Sequence, residues 1–340
     1  MAGALPLAVT MGDPAGVGPL ITCMAYEHAR RSGGRPFYVL APQGTLGPAA
    51  QVAWRESGGN IVSIHDPAQA AERFGTGLPV LSIPAKRVEI RAGHPNPDTA
   101  PAIIDSIRLA VEHTRSGKAA AVVTNPIAKA LLYRAGFKHP GHTEYLAELA
   151  SDGGKAPRPV MMLVGGGLRV ALVTIHTPLA NVIHAVSTPL IVETGRIVHA
   201  ALKRDFGITR PRIGLCGINP HAGEDGEIGR EEIEIVNPAA AQLRAEGIDI
   251  SDARPGDTIF HEARSLEGKN GRFDAVIAMY HDQGLIPVKT LDIFGGVNVT
   301  LGLPFIRTSP DHGTAYDAAA SGNARAESLI AALDLADKMA

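Results

Sequence analysis

Three histidines in this chain stand where α/β proteins do their chemistry. His176 ends the apolar run LRVALVTI, His221 lies three residues beyond RIGLCGI, and His281 directly follows FDAVIAMY. Open α/β sheets hold ligands at the carboxyl ends of their strands. Neutral imidazoles from three separate strands can share one cation and leave positions open for a substrate. The plain alternative is three unrelated loop histidines. A donor set made only of imidazoles favours zinc or another late first-row ion over magnesium. His28, His113, His184 and His199 lie in helical patterns and read as ordinary surface or core residues.

Polar groups crowd the loops HDQG (His281 to Gly284), NPHAGEDG (Asn219 to Gly226) and GHTE (Gly141 to Glu144). Asp282 suits a general base or a partner that orients a ligand histidine. It suits a helix cap equally well. Lys289, Arg307 and the backbone around GHTE suit phosphate or carboxylate, although a lysine at a strand end can simply be solvated. TNPIAK (Thr124 to Lys129) reads as an Asn-Pro turn opening a helix. Of two glycine loops, GDPAGVG (Gly12 to Gly18) lacks the G-x-G-x-x-G spacing of a Rossmann fingerprint, and VGGGLR (Val164 to Arg169) reads as a tight turn between strands.

The elements that must position these residues show as short Val, Ile and Leu runs alternating with longer Ala-rich segments of helical period, the signature of strand-helix units on a mostly parallel sheet. Strands are expected at Leu5 to Met11, Phe37 to Ala41, Ala119 to Thr124, Leu168 to Ile175, Arg212 to Ile218 and Phe273 to Tyr280. Helices are expected at Pro19 to Ser32, Thr99 to Ser116, Glu144 to Ala150, Pro189 to Phe206, Glu231 to Glu246 and Ala324 to Met339. In the second of these, Ile103, Ile107, Ala110 and Val111 mark one buried face. Residues 51 to 95 are less periodic and read as an irregular excursion or a small edge hairpin, and HEARSLEGKNG (His261 to Gly271) as a surface loop.

At 340 residues the chain fits two domains, or one large α/β unit with a deep cleft. Hydrophobic residues are 45% and aromatics only 4%, so the interior is built from aliphatic side chains, and disordered and fibrous classes are excluded. A net charge of -2 without any Lys/Arg block leaves no footprint for nucleic acid or an acidic membrane. A small-molecule ligand is expected instead. Cys23 and Cys216 read as buried thiols in a reducing compartment. The first residues read as a strand and not a signal peptide, and no apolar stretch reaches membrane-spanning length, so a cytoplasmic protein is expected.

Taken in order along residues 12 to 315, GDPAGVGP, TNPIAK, GHTE, HTPL, NPHAGE, YHDQG and LGLPFIRTSPDHGTA resemble the 4-hydroxythreonine-4-phosphate dehydrogenase family of vitamin B6 biosynthesis. DHGTAYD (Asp311 to Asp317) looks like the cofactor loop of the wider isocitrate and isopropylmalate dehydrogenase fold. The resemblance implies an α/β chain of two α/β/α lobes with mostly parallel sheets and a cleft between them, not a Rossmann fold. Residues 1–137 with 305–340 would form one lobe, and residues 138–304 the other, carrying the metal ligands and the dimer interface.

By the same resemblance His176, His221 and His281 are metal ligands, and His142, Thr143, Lys289, Asn298 and Arg307 bind substrate. Asp257 and Asp282 are active-site acids, and His312, Gly313, Thr314 and Asp317 meet the cofactor. The implied cofactors are NAD or NADP and one divalent cation, zinc first, with magnesium or cobalt as alternatives. The implied assembly is a homodimer with shared active sites, with His281 of one chain completing a site on His176 and His221 of its partner. The implied reaction is oxidation of 4-phosphooxy-L-threonine. A relative acting on phosphorylated threonate or erythronate is the rival within the class, and a metal-dependent hydrolase or lyase, or a phosphate acyltransferase, outside it. Leu20, where an acid is usual, and AYDAAASG, where D-I-A-G is usual, depart from the family pattern.

Overall fold

The structure, a computed structural model, describes residues 4–134, 136–139, 141–151, 153–266 and 269–340. They form two compact units, Met1–Pro157 with Leu303–Ala340, and Arg158–Gly302. Among the described residues no helix is long and apolar enough to cross a membrane.

The first unit opens with β1 (Leu7–Thr10), α1 (Gly18–Ser32), β2 (Phe37–Ala41), α2 (Gly47–Ala53), β3 (Ile61–Ile64), α3 (Gln69–Arg73) and β4 (Leu78–Ser82). It continues through α4 (Ala100–Arg115), β5 (Val122–Val123), α5 (Lys129–Arg134) and α6 (His142–Leu149). Every residue of β1 and β2 is buried, as a parallel strand covered on both faces requires. Pro19 in its first turn and left-handed Gly33 at its end bound α1. In α4 the expected face of Ile103, Ile107, Ala110 and Val111 is buried.

Residues 51 to 95 differ from expectation. They do supply the edge of the sheet, but β3 and β4 pair in parallel and are therefore no hairpin. A parallel pair needs a crossover, which α3 provides.

The second unit runs β6 (Val160–Gly165), β7 (Leu168–Leu172), α7 (Leu179–Ala185), α8 (Thr188–Arg204), β8 (Arg212–Cys216), α9 (Asn237–Ala245) and β9 (Asp249–Arg254). After it come α10 (Ile259–Ala263), β10 (Ala275–Ala278), α11 (His281–Leu291) and β11 (Val297–Leu301). Its strands lie in the order β11-β6-β7-β10-β8-β9. The β6/β7 pair is antiparallel, and Gly166 (φ 58) and Gly167 (φ 83) form its two-residue turn, as VGGGLR suggested. From β7 through β10 and β8 to β9 the pairing is parallel. Leu163, Val170, Cys216, Ile259, Val276 and Val288 belong to its core. Of the stretch 261–271, Glu267 and Gly268 lie outside the described residues.

The chain then returns to the first unit as β12 (Arg307–Pro310), α12 (Tyr316–Ser321) and α13 (Glu327–Met339). There the order is β3-β4-β2-β1-β5-β12, which is not the Rossmann 3-2-1-4-5-6. The α/β class with mostly parallel pairing is as the sequence led one to expect. Segment 138–157, read as part of the second lobe, belongs with the first unit. Its α6 packs on α4, and the Arg115 guanidinium donates to the Leu149 carbonyl at 2.8 Å. Both cysteines are buried free thiols, and burial pushes Cys23 up to about 12.

Candidate functional site

Because β7, β10 and β8 are parallel neighbours, the loops after them leave from the same end of the sheet. Two of the three histidines meet there. The rings of His176 and His281 lie 6.0 Å apart, tilted by 37°. His281 Nδ1 is 2.7 Å from Asp282 Oδ1, and at the start of α11 it is Gln283, not Asp282, that accepts a backbone amide, from Met279 at 2.7 Å, so the geometry favours the orienting role of Asp282 over a cap.

His221 stands exposed on the next loop, with Nδ1 3.7 Å from the Glu224 carboxylate. Among the described residues of one chain, no three His, Cys, Asp or Glu side chains gather into a group able to hold a metal. His176 and His281 thus offer two imidazole donors side by side, while the third imidazole is not brought to them within the chain. His281 sits beside its own chain's His176, where the sequence reading drew it from a partner. Asp257 is exposed in the turn between β9 and α10.

Backbone strain marks two loops. The described non-glycine residues with positive φ are His221, Ala222, Glu224, Asp225 and Ala315, all in the NPHAGED and DHGTAY loops. Left-handed geometry costs an L-residue roughly 1–2 kcal/mol, so it persists only where surroundings enforce it, commonly at functional sites.

In the first unit the GHTE loop starts α6 and forms an anion-ready group. His142 Nε2 is buried without a hydrogen bond, and burial, then Arg307 and Lys129, hold its pKa well below the ordinary imidazole value. Arg307 on β12 is 3% exposed, and its Nε and Nη2 donate to Thr124 Oγ1 at 3.1 and 2.7 Å. Burial lowers its pKa to about 10, so it stays cationic at neutral pH. Thr143 is half-buried beside His142.

Sequence reasoning missed Lys129 by treating TNPIAK as a plain turn. A side chain on Gly141 would stand 3.1 Å from its Nζ, so a glycine there leaves the ammonium room. The available signal was a lysine and a threonine bracketing a strand end. In the second unit Lys289 is half-buried on α11, and Asn298 Oδ1 on β11 is buried without a hydrogen bond.

The loop expected to meet the cofactor exposes His312, Gly313 and Asp317 and half-buries Thr314. It rests on the GDPAGVG loop. Val17 N donates to Thr314 O at 2.9 Å, and a side chain on Gly16 would approach that oxygen to 2.8 Å. Tyr316 donates to buried Asp13 at 2.6 Å. The Gly12–Gly18 loop therefore supports its neighbour. A cavity of about 1180 Å³, unread in the sequence, opens at the carboxyl ends of β1, β2 and β4. Lys86 and Arg87 line it beside Met11, Ile83 and Pro97, and most of these lie in irregular chain that no period marks.

A family model described as pyridoxal phosphate biosynthetic protein PdxA matches residues 35–336. The chain belongs to the PdxA family. It is 49% identical to a 4-hydroxythreonine-4-phosphate dehydrogenase of Bradyrhizobium diazoefficiens, over 99% of this chain and 97% of that one. Among solved structures, a 4-hydroxythreonine-4-phosphate dehydrogenase from Klebsiella pneumoniae matches with TM-score 0.86 and 37% identity over 98% of both chains. A terephthalate 1,2-cis-dihydrodiol dehydrogenase from Burkholderia xenovorans matches with TM-score 0.65 and 25% identity, over 99% of this chain and 98% of that one. In this PdxA-family chain Leu20 is buried in the first turn of α1. The altered stretch after DHGTA contributes Tyr316, the tyrosine bonded to Asp13.

Proposed function

We propose that this chain oxidises 4-phosphooxy-L-threonine with NAD or NADP to 2-amino-3-oxo-4-phosphooxybutanoate, which decarboxylates to 3-amino-2-oxopropyl phosphate, in pyridoxal 5'-phosphate biosynthesis. The observation that carries this is the 49% identity, over nearly the whole chain, to a relative bearing that activity's name.

The residues support it chemically. Cationic Arg307 and Lys129 beside a neutral His142 suit a phosphate, whose oxygens take charge-assisted hydrogen bonds. Thr143, Lys289 and Asn298 supply further substrate contacts, and Asn298 Oδ1 is a buried acceptor awaiting a donor. His176 and His281 would hold a divalent cation, zinc by donor type, with His221 as third ligand. Such a cation supplies Lewis acidity toward an alcohol oxygen, and the nicotinamide accepts hydride. Asp282 orients His281. Asp257 is assigned as an active-site acid, and His312, Gly313, Thr314 and Asp317 as cofactor contacts.

A homodimer accords with where the apolar surface lies. Leu179 and Ile183 of α7 and Ile286 and Leu291 of α11 are exposed, and both helices follow directly on the paired histidines. In this reading the third imidazole comes from the His221 loop of a second copy seated on that surface. The test is nicotinamide reduction by purified protein with 4-phosphooxy-L-threonine, phosphorylated threonate and phosphorylated erythronate, before and after chelation. Preference for either of the last two would replace the substrate assignment, and full turnover after metal removal would end the cation's role.

A further inference from the structure

His221 opens a run of five left-handed residues, His221–Asp225, with φ between 47° and 83°. Only Gly223 adopts that conformation without penalty. A carboxylate outside the turn holds the backbone that leads into it. Glu232, 2% exposed, accepts the Ile218 and Asn219 amides on Oε1 at 2.7 and 2.8 Å, and the Asn219 side-chain amide on Oε2 at 2.9 Å. Glycines let it in: a side chain on Gly217 would come within 3.0 Å of Oε1, and one on Gly223 within 2.6 Å of Oε2.

Glu232 begins a π-helical turn, Glu232–Val236, which interrupts the approach to α9. Glu231 also accepts from the Asn219 side chain, at 2.7 Å, so two adjacent acids grip one asparagine two residues before His221. Single π-turns inside helices recur at functional sites.

We propose that Glu232 is a positioning residue for His221. By tying down the backbone at Ile218 and Asn219 it sets the left-handed turn that presents the imidazole. This rests on reading His221 as a metal ligand.

The test is a double-mutant cycle in zinc affinity, measured on the whole protein by competition with a chromophoric chelator. Glu232→Gln keeps the shape but replaces one acceptor oxygen with a donor. Glu232→Gln should weaken zinc binding about tenfold to a hundredfold, the range for groups that orient metal ligands, and His221→Ala, which removes the ligand itself, by at least as much. In the His221→Ala background Glu232→Gln should add nothing, because it acts through His221. Unchanged affinity in Glu232→Gln, or its full effect persisting without His221, overturns the proposal. If Glu232→Gln does not fold, Asn219→Ser is put through the same cycle with the same expectation. Wild-type affinity in His221→Ala overturns the metal reading instead, and this proposal with it.

Discussion

If His176 and His281 of one chain supply two of a cation's three ligands and the partner subunit's His221 completes the site, inactive variants must complement in a specific pattern. His221→Ala and His281→Ala proteins, unfolded and refolded together in equal amounts, give about half mixed dimers when pairing is random. In a mixed dimer one site keeps His176 and His281 from the His221→Ala chain and draws His221 from the other. The second site lacks two ligands. One site of two, in half the dimers, gives about a quarter of wild-type nicotinamide reduction. The structure also supplies the control. With the His176 and His281 rings 6.0 Å apart in one chain, no pairing of His176→Ala with His281→Ala restores a full set, and that mixture stays inactive. Recovery in the control would show that the two histidines serve different sites and refute the reasoning. Failure of the first mixture would place all three ligands in one chain.

Arg307→Lys should raise the KM for the phosphorylated substrate about thirtyfold, since losing a charge-assisted contact costs about 2 kcal/mol; an equal rise in cofactor KM would make it a general scaffold residue. Burial holds the folded His142 pKa below the ordinary value of 6.5, so the unfolded chain binds the extra proton. Its contribution to stability is therefore complete above pH 6.5 and lost as pH falls through the window below it. Urea unfolding of His142→Asn between pH 5 and 8 should accordingly show a shallower pH slope than wild type, and equal slopes would contradict the assignment. Tyr316→Phe should cost about 1–3 kcal/mol by leaving a buried Asp13 oxygen short of a donor, and should raise cofactor KM over substrate KM, read from chemical denaturation and steady-state kinetics.

What was legible in the sequence follows from what each element buries. β2 runs from Phe37 to Ala41 as read, because a strand covered on both faces becomes an unbroken apolar run. β12 was missed although all four of its residues are buried, because they are Arg, Thr, Ser and Pro. Their polarity is met by partners that no local pattern announces: Thr308 donates to Ala332 at 2.8 Å, and Arg307 to Thr124, 183 positions away in sequence. The candidate site divides along the same line. His176, His221 and His281 stood out because imidazoles at strand ends are recognisable by type, and the pairing of the first and last follows from β7 lying beside β10. Lys129 and Glu232 were not found, since a lysine after a turn and a glutamate in a helical pattern look like solvated residues. Glu232 is instead enclosed by amide donors 13 and 14 residues back. A buried ionic group is tolerated only when its hydrogen bonds are met, so its partners, distant in sequence, decide whether it belongs to the surface or to the site.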